Sequence, residues 1–153
     1  MVSKLKKDNK GFTIIEVLIV LAIAGLIMLI VFLAIPALQR NQRNNARNSD
    51  ASRVSAAVSE CLANRNGSTS TTTGCGLVTN INVGKTSQLE TTTVQASLPT
   101  GGVNASTTEA QVVFNAQCTP EGDKGATGGN SRDFVVLYSI EPAVTRCIGS
   151  QSN

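Results

Sequence analysis

The sequence predicts an α+β protein: one long N-terminal helix, its first half transmembrane and its second half amphipathic, packed on a small antiparallel β-sheet head. Three observations carry this. Every residue from Val17 to Ile35 is apolar or Gly, and as a helix that run covers about 28 Å, close to the hydrocarbon thickness of a bilayer. Ala51, Val54, Val58, Cys61 and Leu62 then recur at steps of 3, 4, 3 and 1, an apolar stripe of helical period. Beyond Gly74 the text shortens to strand-like pieces rich in Val and Thr. A helix followed by a run of strands is the α+β arrangement.

Residues 1–11 are polar and basic, carrying Lys4, Lys6, Lys7 and Lys10 against Asp8. That segment alone accounts for the whole formal charge of +3; the remainder, with nine basic and nine acidic side chains, sums to zero. A general positive field for nucleic acid therefore disappears once residues 1–11 are set aside. A secretory signal carries an apolar region of about 7–15 residues and then a small-residue A-x-A site. Here the apolar run is longer and Ala34-Ile35-Pro36-Ala37 misses that spacing, so the segment reads as a membrane helix that stays. Lysines precede the span and Arg40, Arg43, Arg47 and Arg53 follow it, so positive charge nearly ties across it. The secreted character of the C-terminal part decides for a cytoplasmic N-terminus.

Glu16 sits at the edge of the apolar run. At mid-bilayer a carboxylate costs about 2.5–3.5 kcal/mol on insertion scales, and less near the interface. One reading is a capping box over Thr13-Ile14-Ile15-Glu16, with Thr13 as N-cap and Glu16 reaching back to its amide. The span has no small-xxx-small spacing around Gly25, since Leu21 and Leu29 flank it. Pro36 lacks an amide donor and clashes with the carbonyl of Phe32, so a kink or stop is expected there.

From Ala37 to Asn66 the chain is polar and Asn-rich before the stripe begins. Residues 39–48 read as a solvated helix or a looser connection. Gly67 follows as the expected C-cap, and a continuous helix from Thr13 to Arg65 would measure roughly 80 Å. Its five Arg, against Asp50 and Glu60, would face either acidic surfaces of neighbouring chains or solvent. Residues 67–74 form a low-complexity loop. Strands are expected near Leu77–Val83, Thr91–Leu98, Ala110–Gln117, Asp133–Ile140 and Ala143–Ile148. In the third, Val112, Phe114, Ala116 and Cys118 alternate as one buried face requires. Thr119–Arg132 reads as an exposed loop, and Pro142 separates the last two strands. With 3% aromatic residues and no Trp, the core rests on Val, Leu, Ile and Ala and benefits from covalent staples.

The segment Lys10-Gly11-Phe12-Thr13-Ile14-Ile15-Glu16 followed by a long apolar helix resembles the type IV prepilin signature. In that family an inner-membrane peptidase cuts after the Gly and methylates the new N-terminal residue. The resemblance implies cleavage between Gly11 and Phe12, N-methylation of Phe12, and assembly roles for Glu16, for Gly25, where the family often has Gly, and for Pro36. Many members have Pro where Leu33 stands here; Pro36 lies three residues later. The resemblance covers residues 10–35 and implies a leader over 1–11, a transmembrane and assembly helix over 12–36, a helical stalk over 37–66 and a β-rich head over 67–153. Phe12 and Glu16, four apart, share a helix face. An amine–carboxylate pair offsets much of the desolvation when helices pack into a fibre core.

The four cysteines, Cys61, Cys75, Cys118 and Cys147, have no C-x-x-C spacing, and the chain contains no His. Zinc and His-based nucleophile pairs are thereby disfavoured, and two disulfides are expected in a translocated domain. Three connectivities exist; we expect Cys61–Cys75 and Cys118–Cys147, the second resembling the C-terminal disulfide loop of many type IV pilins. Gly84-Lys85-Thr86 lacks the upstream Gly of a phosphate-binding loop, since Thr79 stands there. Gly74-Cys75-Gly76 is followed by no suitable helix. Asn66-Gly67-Ser68 and Asn104-Ala105-Ser106 match a glycosylation pattern that is frequent by chance, and Glu121 and Asp123 serve loop solubility.

The resemblance implies a structural pilus subunit without catalysis, cofactor or metal. Its implied partners are a prepilin peptidase/methylase, an assembly platform, the membrane and copies of itself in a helical filament, with no nucleic acid required. It would be a single-pass inner-membrane protein and then part of an extracellular pilus. A pseudopilin of a secretion or DNA-uptake machine is the alternative of the same class, and a membrane-tethered extracellular binding domain that of another.

Overall fold

The computed structural model describes residues 11–77, 79, 81, 83–99 and 105–149. Residues 1–10, with the four lysines of the N-terminal segment, lie outside them. One helix, α1 (Ile14–Asn64), precedes six strands: β1 (Thr91–Gln95), β2 (Glu109–Phe114), β3 (Ala116–Cys118), β4 (Gly125–Thr127), β5 (Phe134–Ile140) and β6 (Val144–Gly149). This is an α+β arrangement consistent with the pilin fold. The chain divides into two units between Gln39 and Arg40.

The first unit is helical from Ile14. Its large apolar side chains, from Ile14 to Leu38, are exposed. Of the kink or stop expected at Pro36, the stop is not found: Pro36 lies inside α1. A proline deletes one amide bond and presses on one carbonyl, and flanking turns of good helix formers sustain the element across that gap.

In the second unit the remaining turns of α1 lay Ala51, Val54, Val58, Cys61 and Leu62 into a core with Ala110, Val112, Phe114, Phe134, Val136 and Tyr138. Val54 and Val58 are fully buried, each contributing about 1.5–3 kcal/mol. The helix ends where Asn66 and Gly67 take positive φ of 51° and 76°. There the Gly67 amide donates to the Leu62 carbonyl at 2.7 Å, closing the last turn. A Cβ at Gly67 would meet only the flexible, exposed side chain of Arg132, which can move aside, so it is the positive φ that favours glycine there.

The main sheet has order β1-β2-β5-β6. It is mainly antiparallel, as expected, through β2–β5 and β5–β6, with one parallel ladder that the strand pattern did not reveal, β1 beside β2. The segment 96–108 is long enough to return the chain to the same end, as a parallel neighbour requires. The expected third strand is also broken. Asn115, with φ 55°, divides it into β2 and β3. Consequently Val112 and Phe114 join the helix-side core, whereas Ala116 and Cys118 join Val113, Val135, Leu137 and Cys147 in a second cluster. Alternation alone had placed all four on one face; a left-handed residue resets which side follows. β5 is buried on both faces, as its apolar run from Phe134 to Tyr138 requires, with Ser139 the one buried polar residue of the strand.

The span Leu77–Val83 is not a strand at its described positions; Val78, Asn80 and Asn82 lie outside them. Ile81 and Val83 instead pack against the core without sheet pairing. The expected loop Thr119–Arg132 contains β4, which pairs with β3 as a two-stranded sheet. Disulfides join Cys61 to Cys75 and Cys118 to Cys147, with sequence separations of 14 and 29. The first ties the end of α1 to the Ser/Thr-rich loop, and the second ties β3 to β6. Closing a loop of about 15 residues contributes about 3 kcal/mol by restricting the unfolded chain.

Candidate functional site

In the first unit, Gly11, Phe12 and Thr13 lead into α1, and Glu16 closes a reciprocal cap. The Thr13 amide donates to Glu16 Oε2 at 2.8 Å and its hydroxyl donates to the same oxygen at 2.7 Å, while the Glu16 amide points to Thr13 Oγ1 at 3.4 Å. The carboxylate thus has partners before any neighbour arrives. Phe12 is 89% exposed. A Cβ on Gly11 or Gly25 would meet nothing within 4 Å, so the fold of the single chain gives no reason for glycine at either place. At Gly25 a helix even loses about 1 kcal/mol relative to Ala. α1 is long and apolar enough to cross a membrane, and none of its most apolar window is buried. Gly11, Phe12 and Glu16 therefore stand together at one end of the helix, with Gly25 and Pro36 farther along it.

The second unit holds a polar system that the residue pattern did not reveal. Residues 39–48, expected to be solvated, include Arg47, which is 5% exposed. Its Nε donates to the Thr107 carbonyl at 2.9 Å, Nη1 to Asn44 Oδ1 at 3.0 Å and Nη2 to Glu141 Oε1 at 3.1 Å. Arg43 grips the same carboxylate bidentately at 3.0 and 2.9 Å, and Arg40 Nε lies 3.8 Å from it. The Asn44 side chain brackets the Glu141 backbone, donating to its carbonyl at 3.0 Å and accepting from its amide at 2.9 Å. One turn on, Asn48 accepts from the Tyr138 hydroxyl at 2.8 Å. Of the arginines expected to face neighbouring chains or solvent, Arg47 is buried, Arg53 donates to the Lys85 carbonyl and Arg65 to that of Thr73, while Arg40 and Arg43 keep 55% and 43% of their side chains exposed.

Asp50, 2% exposed, is the other buried charge on α1. Its Oδ2 accepts from the amides of Ser87 at 2.9 Å, Gln88 at 2.6 Å and Leu89 at 3.2 Å. Burial pushes this carboxyl up, but the amides and the Ser87 hydroxyl together outweigh it and hold it below the usual carboxylate range. The Tyr138 hydroxyl is raised by burial. Helical spacing of Arg40, Arg43, Arg47 and Asp50 was visible as a polar face, but no local signal names partners as distant as Glu141 or Gln88.

Hydrogen bonds from Arg43 and Arg47 hold the Glu141 carboxyl down at about 2, from an ordinary 4.5. A folded-state value below the unfolded one means that the contribution is complete above about pH 4.5 and fades as pH falls toward about 2. In the full chain in detergent, Glu141→Gln is expected to lower the thermal midpoint at neutral pH and to flatten its decline across that window. Circular dichroism melts at stepped pH read this; an unchanged slope means that the carboxylate does not hold helix and turn together.

A family model for the prokaryotic N-terminal methylation motif matches residues 6–32. The chain therefore carries the prepilin-type motif of type IV pilins and pseudopilins, placed over the cap and the first turns of the apolar helix. No curated protein and no solved structure matches the chain.

Proposed function

We propose that this chain is the precursor of a type IV pilus subunit, cut between Gly11 and Phe12, methylated on Phe12 and polymerised through α1 into an extracellular filament. The observation that carries the reading is the coincidence of the methylation motif over residues 6–32 with an apolar helix whose large side chains, from Ile14 to Leu38, are exposed. About two dozen apolar residues left bare need a solvent, and bilayer followed by fibre core supplies two in succession. Glycines at Gly11 and Gly25 that the single chain does not need are accounted for by contacts outside it. Gly11 fits a narrow peptidase cleft, and Gly25 allows a neighbouring helix to approach.

The subunit has a structural role, and its partners are the prepilin peptidase/methylase, an assembly platform and copies of itself. Before assembly it is a single-pass inner-membrane protein with a cytoplasmic N-terminus. A pseudopilin would share the same motif; the two disulfides and the Ser/Thr-rich loop at residues 67–74 favour a surface-exposed fibre.

The test is the N-terminal residue of the protein recovered from cells. Mass spectrometry is expected to show a chain beginning at N-methylated Phe12. An intact Met1, or cleavage near Ala37, sinks the reading.

A further inference from the structure

We propose that Arg40 and Arg43 bind the phosphate of an anionic phospholipid headgroup in the leaflet that the head faces, fixing the depth of the subunit before it is extracted. The inference rests on the membrane-anchored reading of the helix and not on polymerisation.

Three arginines meet one carboxylate. All their ion pairs among the described residues go to Glu141, which leaves a local charge of about +2. The three differ in what they have left to offer. Arg47 is buried and engaged through Nε, Nη1 and Nη2. Arg43 spends Nε and Nη2 on Glu141 and keeps 43% of its side chain exposed. Arg40 approaches Glu141 only at 3.8 Å, beyond hydrogen-bond length, with 55% of its side chain exposed. Two guanidinium groups thus retain open N–H donors, in the planar fork that suits a phosphate. Glu141 does not quench them; by holding Arg43 it orients one fork.

Depth selects the occupant. The apolar residues run on through Pro36, Ala37 and Leu38, so by helix rise Arg40 follows their end by about 3 Å and Arg43 by about 7–8 Å. The headgroup layer extends roughly 5–8 Å past the hydrocarbon, and both arginines fall within it. Arg47, a turn beyond, is too far out, and it is the one used internally. A phosphatidylglycerol headgroup has no ammonium to oppose the arginines, whereas a phosphatidylcholine headgroup does. A carboxylate on a second copy of the chain is the competing occupant, but it would have to sit at headgroup depth.

The test uses the full chain in detergent micelles, titrated with phosphatidylglycerol or phosphatidylcholine and read by native mass spectrometry. Each cation near an anionic surface gains about fivefold in affinity, so phosphatidylglycerol is expected to be retained about tenfold or more over phosphatidylcholine. Arg40→Gln, which leaves the hydrogen bonds of Arg43 and Arg47 intact, is expected to remove most of one factor. The double change Arg40→Gln, Arg43→Gln should bring the preference within about twofold, and Arg40→Lys, Arg43→Lys should keep most of it. In parallel, side-chain Nε–H resonances of Arg40 and Arg43 should shift with phosphatidylglycerol and not with matched inorganic phosphate.

Equal retention of the two lipids overturns the proposal, as does an equal shift with inorganic phosphate. Loss of cross-linked subunit pairs in the double variant, with lipid preference unchanged, assigns the arginines to a second copy instead. A chain that does not float with phosphatidylcholine vesicles overturns the anchored reading and this inference together; one that floats without lipid preference overturns the inference alone.

Discussion

Replacing Glu16 with Ala is expected to abolish filaments while leaving the subunit in the membrane with its head folded. In the single chain Glu16 serves only the helix start, through Thr13. Losing that cap costs about 1 kcal/mol at a helix end remote in sequence from the head's core. Removing a carboxylate also eases insertion of the span. In a fibre the balance reverses. On the proposed function, the amine that cleavage would free at Phe12 would become a buried charge without a partner, at about 3–5 kcal/mol per subunit, and at 1.4 kcal/mol per decade each addition would weaken by 100-fold or more. Sheared-fibre and membrane fractions, compared by immunoblot, measure both halves of this expectation. Glu16→Gln separates the two roles of the side chain, because Gln can complete a capping box but carries no charge. If the Gln variant assembles normally, capping is the whole function of the residue and the pairing idea fails.

Replacing Asp50 with Ala is expected to cost about 3–4 kcal/mol of head stability, a large part of what a domain this size possesses. The residue gathers three successive amides, from Ser87, Gln88 and Leu89, onto one oxygen. Without it, the buried Leu89 amide and the part-buried amides of Ser87 and Gln88 lose their common acceptor, and an unsatisfied buried group carries a desolvation penalty of about 1–3 kcal/mol. Asp50→Asn keeps one acceptor and should cost less. Glu60→Ala, on the exposed side of the same helix, should stay within about 0.5 kcal/mol. Denaturant unfolding of the oxidised full chain in detergent gives the differences, and hydrogen exchange at residues 87–89 should quicken in the Ala variant. A cost below about 1 kcal/mol for Asp50→Ala would show that the loop holds itself without the carboxylate.

Legibility followed the range of the interactions. The cap at Thr13 and Glu16, the apolar run and the stripe from Ala51 to Leu62 each involve residues within a turn or two of one another, and their spacing states the geometry directly. The strands of the head were legible as Val-rich pieces, but their directions were not. Whether β1 lies parallel or antiparallel to β2 depends on the path of the segment between them, which period-2 alternation does not encode. Asn115 shows a second limit: one residue at positive φ divides a strand and moves Ala116 and Cys118 to the opposite side of the sheet.

The polar residues mark the division most sharply. Arg47 falls in the segment 39–48 that reads as a solvated helix or looser connection, and nothing near Asp50 in the sequence marks it as buried, because charged side chains usually lie at the surface. Only the tertiary structure supplies Glu141, Thr107 and the 87–89 amides that make their burial tolerable, since a buried charge is stable only where distant groups converge on it. The sequence by itself determined the N-terminal motif, the helix and its two contrasting stretches, because these depend on neighbours along the chain. Tertiary structure decided the sheet's mixed direction, the division of its apolar residues between two faces, and the partners of the arginines. Those depend on contacts between residues separated by tens of positions, and no local periodicity carries them.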